Sequence, residues 1–187
     1  MEAIEKTSKI EKAIKLGLLI LFGSILITLS AKIKIPFYPV PMTMQTFVIL
    51  LIGIMFGSKI GLATVMLYLL EGIFGLPVFA NSPEKGIGLA YFMGPTMGYL
   101  IGFLIAVYLA GFFKYEKGII NTFLKLTFSV SFIYILGLIW LGTLIGWDKP
   151  IFKLGAEPFL LAELFKILLL LVLMPILSKT KKLFKIT

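Results

Sequence analysis

The longest uncharged stretch of this 187-residue chain constrains its fold more than any other feature. It contains residues 87–113, which are 27 consecutive positions without a charged side chain. Since a helix rises about 1.5 Å per residue, such a stretch can cross the roughly 30 Å hydrocarbon core of a bilayer. The whole chain is 59% hydrophobic and only 14% charged, with a mean hydropathy of +1.06. This composition predicts a membrane protein, because soluble domains are less apolar and more highly charged.

Five further apolar stretches predict an all-α membrane protein, a bundle of six transmembrane helices. The predicted helices cover approximately residues 12–31, 42–57, 60–72, 87–113, 120–147 and 158–178. Pro36, Pro39 and Pro41 follow the first helix, and proline cannot continue a helix because it lacks an amide hydrogen. The segment GSK predicts a tight turn between the second and third helices, and Gly94-Pro95 predicts a kink in the fourth. The lysine-rich start and first apolar stretch also fit a cleaved signal peptide, an alternative that the later apolar stretches disfavour.

The distribution of lysine predicts which side of the membrane each end of the chain faces. All 18 basic residues are lysines. Eleven lie on the side of the termini, including Lys12 and Lys15 at the start of the first predicted helix, and five lie on the other side. Because lysine-rich loops stay in the cytoplasm, both termini are predicted to be cytoplasmic. We expect residues 1–187 to form a single membrane-embedded domain of a multi-pass cell-membrane protein. The lysines follow no single polar face, so the net charge of +9 does not indicate nucleic-acid binding.

The absence of histidine and cysteine limits the chemistry that this chain can perform. It excludes serine-histidine catalysis, thiolate chemistry and the common histidine metal sites, so we expect neither a metal nor a cofactor. There is also no Gly-Lys dipeptide and hence no Walker A motif, so any ATP hydrolysis requires another polypeptide. We therefore expect a protein that is not an enzyme. A polytopic membrane enzyme that uses carboxylates and lysines, and a channel or scaffold without a ligand, are the alternatives.

Two opposite charges interrupt the last apolar stretch, LAELFKILLLLVLMPIL. Glu163 and Lys166 are three positions apart and therefore share one face of a helix. A charge near the centre of a bilayer costs about 2.5–3.5 kcal/mol, whereas such a pair gains only roughly 0.2–0.5 kcal/mol on an exposed helix. We therefore expect the pair to form the polar floor of an outward-facing pocket, where a ligand completes its solvation. A purely structural pair, or side chains that reach to the outer interface, is the alternative.

The long loops predicted on the outer face supply further candidates. In GLPVFANSPEKG, Asn81 offers a carbonyl and an amide to a lid over the pocket, although its spacing alone favours a simple turn residue. Aromatic residues near this face either contact a ring-shaped ligand or form an interfacial belt, namely Phe37, Tyr38, Tyr91, Phe92 and Tyr99. In the first helix, Ala13 and Gly17 are four positions apart, which lets another helix approach closely. This cytoplasmic end is a candidate docking site for an external motor.

Three blocks of sequence resemble one known family. In chain order they are IKIPFYPVPMTMQTFVILLIGIMFG, LYLLEGIFGLPVFA and GPTMGYLIGF, and they resemble the BioY family. Members of that family are the biotin-binding S components of energy-coupling factor (ECF) transporters. The resemblance covers about residues 12–178. It implies six transmembrane helices, biotin held near the outer face under the first and third loops, and transport driven by a separate transmembrane coupling subunit and ATPase subunits.

The resemblance also implies roles for individual residues. The family often carries Asp-x-x-Lys in its last helix as part of the biotin site, and the matching positions here are Glu163 and Lys166. The longer glutamate moves the carboxylate by about 1.5 Å. Asn81 matches a loop asparagine associated with biotin, and Ala13 and Gly17 match most nearly the Ala-x-x-x-Ala docking pattern of the first helix.

Some roles stay open at this point. Weaker candidates for the binding site are Gln45, Tyr91, Thr96 and Lys85. Some family members bind the biotin carboxylate with an arginine, which this chain lacks, so Lys166, Lys85, Thr96 or backbone amides would take that role. An S component for a different small vitamin is the nearest alternative function.

Overall fold

Helices make up most of the chain in the computed structural model, which describes residues 2–35, 38–115 and 118–184, with side chains from residue 10 to residue 180 of those ranges. In chain order the elements are α1 (Glu2–Lys32), β1 (Lys34–Ile35), β2 (Met42–Thr43), α2 (Gln45–Ile73), α3 (Leu89–Phe92), α4 (Met97–Phe112), α5 (Ile119–Ile145), α6 (Ile151–Gly155) and α7 (Glu157–Phe184). Pro36 and Phe37 lie outside the described residues.

The chain reverses direction within α2. Gly57 has φ 80° and ψ 172°, a conformation that residues with a Cβ rarely adopt. The side-chain nitrogen of Gln45 lies 2.8 Å from the Tyr68 hydroxyl, although 23 positions separate them. A straight helix would place them about 34 Å apart. α2 is therefore a hairpin of two antiparallel halves, with the predicted GSK turn at its tip.

Close backbone contact holds this hairpin against α4. A Cβ at Gly53 would lie 2.6 Å from the carbonyl oxygen of Val107, a distance that real Cβ atoms do not reach. Val107 and Ala110 of α4 are fully buried at this contact. Small residues permit such an approach, and the packing area it creates is the main source of helix association within a membrane.

Four helices of the described residues are long and apolar enough to cross a membrane, namely Ile10–Lys32, Gln45–Ile73, Ile119–Ile145 and Glu157–Thr180. A fifth apolar helix, α4, has only 16 residues. The single helix predicted over 87–113 is instead two helices, α3 and α4, because Pro95 cannot donate a backbone hydrogen bond and disfavours helix at Gly94. The prediction of a kink there understated the break.

Other differences from the predicted boundaries lie at the helix ends and in the connections. α1 begins about ten residues earlier than predicted and α7 ends six residues later. The short helix α6 lies in the segment that was predicted to be a polar loop. The proline-rich connection contains the antiparallel pair β1–β2, in which Lys34 lies opposite Thr43. Such short elements depend on tertiary contacts, since their own propensity is too weak to predict them.

The connections gather at two opposite ends of the bundle. The β1–β2 pair, the segment between α2 and α4, and α6 lie at one end, where Tyr99 donates to the carbonyl oxygen of Gly155 at 2.8 Å and Trp140 donates to that of Gly94 at 2.8 Å. The tip of the α2 hairpin lies at the other end, beside Gly111 at the end of α4. Both ends of the described chain also lie there, because α1 starts and α7 finishes at that end.

Candidate functional site

A cavity lies at the end of the bundle opposite the chain termini. Its empty volume is about 560 Å³, part of it open to solvent. Side chains from the β1–β2 connection, α2, the segment before α4, α4, α5 and α7 line it: Val40, Pro41, Met42, Thr43, Gln45, Thr46, Ala80, Tyr91, Thr96, Tyr99, Leu100, Phe103, Ile133, Tyr134, Phe159, Glu163 and Lys166. A mostly apolar wall with a few convergent polar groups is the usual composition of a small-molecule site.

The charged pair of α7 faces this cavity and not the lipid. The ammonium of Lys166 lies 2.6 Å from Glu163 Oε1 and donates to Thr46 Oγ1 at 3.0 Å. The Thr46 hydroxyl in turn donates to Glu163 Oε1 at 2.7 Å. Only 5% of Glu163 and 7% of Lys166 is exposed. Both charges are thus removed from lipid and from bulk water, and the first turn of α2 contributes to their solvation.

The second carboxylate oxygen of Glu163 lacks such compensation. Glu163 Oε2 is buried and has no hydrogen-bond partner among the described residues. The Tyr134 hydroxyl lies near the Glu163 carboxylate and interacts with it, but no described residue places a donor within hydrogen-bonding geometry of Oε2. A buried acceptor without a donor costs about 1–3 kcal/mol. A ligand N–H group that reached Oε2 would remove this cost.

Aromatic side chains form much of the apolar wall. Tyr91 stacks on Phe79 with ring centroids 4.6 Å apart, and Tyr134 packs against Tyr99 at 6.2 Å and Phe159 at 6.4 Å. Burial raises the pKa of the Tyr91 hydroxyl, which therefore stays protonated. Rigid rings of this kind offer flat, apolar contact area to a ligand at little cost in side-chain entropy.

Five of the predicted binding residues come together at this cavity. Glu163 and Lys166 of α7 meet Gln45 of α2, together with Tyr91 and Thr96 from the segment before α4. The Gln45 amide is already engaged, because its nitrogen donates to the buried Tyr68 hydroxyl.

Two other predicted residues, Asn81 and Lys85, are not among the residues that line the cavity. The side-chain oxygen of Asn81 accepts a hydrogen bond from Lys34 Nζ at 3.3 Å, which directs it toward α1 and β1. Lys85 is exposed, and its ammonium lies 5.5 Å from the centre of the Tyr38 ring. Both residues therefore belong to the surroundings of the cavity in this structure.

The predicted docking residues are on a free surface of α1. Ala13 and Gly17 are both exposed, and apart from the adjacent part of α1 no atom lies within 4 Å of the position that a Cβ on Gly17 would occupy. Large apolar side chains such as Leu18 and Phe22 surround them and are also exposed. Their role in docking remains a prediction.

Sequence reasoning missed Thr46, Tyr134 and Phe159. Thr46 and Glu163 are 117 positions apart, so no local pattern could join them. The clues available were a hydroxyl directly after Gln45, at the start of an apolar helix, and a tyrosine in the middle of the apolar α5. No group of three or more acidic residues that could hold a metal occurs in the part of the chain that the structure describes.

The apolar helices and the mostly apolar cavity with its few convergent polar groups define a class, α-helical membrane proteins that bind a small molecule. Comparison with known proteins gives the family. The profile of the BioY family matches residues 5–183, nearly the whole chain, and the chain belongs to the BioY family.

Relatives and a solved structure agree with this assignment. The chain is 35% identical over 155 residues to the probable biotin transporter BioY of Pyrococcus horikoshii, covering 83% of this chain and 90% of the relative. It is 36% identical over 143 residues to the biotin transporter BioY of Thermotoga maritima, covering 76% and 83%. Its fold matches the crystal structure of the S-component for biotin from an ECF-type ABC transporter, with a TM-score of 0.74 and 26% sequence identity. The match covers 92% of this chain and 93% of the other.

Proposed function

We propose that this protein binds biotin and takes it up as the substrate-specific S component of an ECF-type transporter. Membership of the BioY family, the biotin transporters among its relatives and the likeness to a biotin S-component support this function. The observation that carries the proposal on this chain is Glu163 Oε2, a buried acceptor at the cavity without a partner among the described residues. This oxygen favours a ligand that donates a hydrogen bond to it.

Biotin has the chemistry that this cavity requires. Its ureido group carries two N–H donors and one carbonyl, and its thiophane ring is apolar. In our proposal an ureido N–H donates to Glu163 Oε2, and the ureido carbonyl accepts from Lys166 or Thr46. The thiophane ring packs against the aromatic wall that includes Tyr99 and Tyr134. The valerate chain then points away from the charged pair. Thr96 lines the same cavity, and Lys85 is exposed outside its wall.

The path of the chain supports six membrane crossings. α1, the two halves of α2, α4, α5 and α7 each run between the two ends of the bundle. The lysine distribution favours termini in the cytoplasm, so the cavity opens to the outside of the cell membrane. This arrangement suits a protein that captures a scarce vitamin from outside.

Uptake against a gradient requires an energy source that this chain does not carry. It has no Walker A motif, and we propose that a transmembrane coupling subunit and ATPase subunits supply the energy. The exposed small residues Ala13 and Gly17 on α1 would let a helix of the coupling subunit approach closely. The remaining exposed apolar side chains face the lipid bilayer.

The decisive experiment is biotin binding by the purified protein in lipid nanodiscs. We expect saturable binding at micromolar biotin or below that excess riboflavin or thiamine does not compete away. Glu163→Gln should weaken binding at least about tenfold, since it loses an ionised acceptor. Glu157→Gln, on an exposed residue of the same helix, is the matched control. Absence of biotin binding, or competition by another vitamin, would refute the substrate.

The orientation can be tested separately, because the chain has no cysteine of its own. We expect Lys153→Cys, at the end of the bundle where the cavity lies, to react with a membrane-impermeant maleimide added to whole cells. Lys59→Cys, at the opposite end, should react only after the cells are opened. The reverse pattern would show that the cavity faces the cytoplasm.

A further inference from the structure

Two lysines near the end of α1 bond to a short segment that borders the cavity through Ala80. This covering segment comprises residues 79–82, between α2 and α3. Lys32 Nζ donates to the carbonyl oxygens of Phe79 and Ser82, each at 2.8 Å. Lys34 Nζ donates to the carbonyl oxygen of Ala80 at 2.6 Å and to the side-chain oxygen of Asn81 at 3.3 Å. Every residue of the covering segment therefore accepts a hydrogen bond from one of the two ammonium groups.

Lys34 joins two walls of the cavity. It lies in β1, paired with Thr43 of β2, and Thr43 lines the cavity. Its ammonium reaches across to Ala80, which lines the cavity from the other connection. A movement of the covering segment away from the cavity must therefore break the bonds to Lys34. Lys32 is anchored still more firmly, at the end of the long helix α1.

Few other bonds hold the covering segment to the rest of the fold. At the start of the segment, Phe79 is 1% exposed and its ring packs on Tyr68 and Tyr91. Phe79 therefore stays in place when the rest of the segment moves. The hydrogen bonds from the Ser82 amide and hydroxyl to Phe79 are local and can move with the segment. The amide of Asn81 donates to the Tyr91 hydroxyl at 3.3 Å, a longer bond than three of the four from the lysines.

Bonds from an ammonium to a carbonyl suit a closure that must be firm yet reversible. They are charge-assisted and stronger than bonds between neutral groups. When the segment opens, water can solvate both the ammonium and the carbonyl, so that neither is left buried without a partner. The two lysines have no carboxylate partner within salt-bridge distance among the described side chains, and their donors are used for backbone and amide oxygens instead.

We propose that Lys32 and Lys34 form a latch that keeps the covering segment closed over the cavity and sets the rate of ligand exchange. They are positioning residues, since they act through the segment that they hold. The identity of the ligand as biotin rests on the proposed function, whereas the latch itself does not. Lys32 and Lys34 therefore control how long the ligand stays, and contribute little to which ligand is chosen.

The first test measures biotin dissociation from the protein in nanodiscs after a chase with unlabelled biotin. We expect Lys32→Met/Lys34→Met to release biotin about tenfold faster or more, with association unchanged or faster. Lys153→Met, on an exposed lysine at the same end, should match the wild type. Lys34→Arg keeps a cationic donor and should release biotin as slowly as the wild type, whereas Lys34→Met should release it faster. Unchanged release from the double variant would overturn the latch.

The second test requires no ligand and keeps the two proposals distinguishable. The native chain has no cysteine, so Ala80→Cys adds a single thiol in the covering segment, at a residue only 5% exposed. We expect maleimide to react with it slowly, and about tenfold faster when Lys32→Met/Lys34→Met is added. Faster labelling of a protein that does not bind biotin would support the latch and refute only the substrate. Equal labelling rates would overturn the latch, even if biotin binds. Where the double variant folds poorly, Lys34→Gln alone should give an intermediate rate in both tests.

Discussion

Removing one charge of the buried pair should be far more harmful than removing both. Lys166 lies 2.6 Å from Glu163 Oε1, and the two side chains are only 8% and 7% exposed. In Lys166→Met the carboxylate keeps one hydrogen bond, from Thr46, and its second oxygen is already without a partner. Breaking a buried pair in this way costs about 3–5 kcal/mol of unfolding free energy.

The double variant Glu163→Gln/Lys166→Met removes the uncompensated charge. We expect its unfolding free energy to lie within about 1 kcal/mol of the wild type, because neutral replacements of a buried pair are often harmless. Glu163→Gln alone should cost roughly 1–3 kcal/mol, since Lys166 keeps Thr46 and the amide oxygen as acceptors. The losses of unfolding free energy in the two single variants should therefore sum to at least roughly 3 kcal/mol more than the loss in the double variant.

Unfolding in mixed micelles, followed by the fluorescence of the two tryptophans, measures these free energies. Biotin binding by the same proteins separates stability from function. If the pair serves the ligand, the double variant regains stability but does not regain binding. If the pair is purely structural, both return together. Additive free energies, as expected of the exposed control pair Glu157→Gln and Lys179→Met, would refute the buried coupling described above.

Three further predictions concern other contacts. Thr46→Val should lower the unfolding free energy by about 1–2 kcal/mol and biotin affinity about tenfold. Thr46→Ser should change neither. A Thr46→Val protein with wild-type stability and affinity would show that the hydroxyl is dispensable. Gly53→Leu should prevent packing of the α2 hairpin on α4, and Gly53→Ala should cost about 1–3 kcal/mol; a melting temperature equal to wild type would contradict the close contact with Val107. Gly17→Leu should leave biotin binding by the purified protein intact and abolish co-purification with a coupling subunit, and intact assembly would move the docking site elsewhere.

Much of the fold could be predicted because the apolar stretches are long and their ends are marked by proline, glycine and lysine. The turn at Gly57 was predictable, since the apolar pattern pauses at GSK, where glycine can adopt a positive φ. The break before α4 was harder to predict, because Gly94 and Pro95 are compatible with either a kink or an end. The first ten residues of α1 and the helix α6 are charged or mixed in sequence, and a hydropathy pattern contains no signal for them.

The site could be predicted only in part, and there is a physical reason why some of its residues were predictable and others were not. Glu163 and Lys166 were detectable from sequence because a charge in an apolar helix is costly wherever the helix packs. A threonine such as Thr46 costs little free energy at any position of an apolar helix, so only the fold reveals its contact with the charged pair. Asn81 was predicted from its loop, but a loop residue can point either way, and here Lys34 engages it outside the cavity. Lysines at a helix end look like ordinary interfacial residues until their acceptors are known.

The shortness of α4 has a consequence for the surrounding lipid. Its 16 residues span about 24 Å, several ångströms less than the roughly 30 Å thickness of typical acyl-chain layers. Ile101, Tyr108 and Phe112 are exposed on this helix, so it borders the lipid directly. Neighbouring acyl chains must therefore compress, or the helix must draw headgroups inward, at a cost of fractions of a kcal/mol per ångström of mismatch. We expect bilayers of shorter-chain phospholipids to stabilise this protein, with α4 as the flank where the membrane is thinnest.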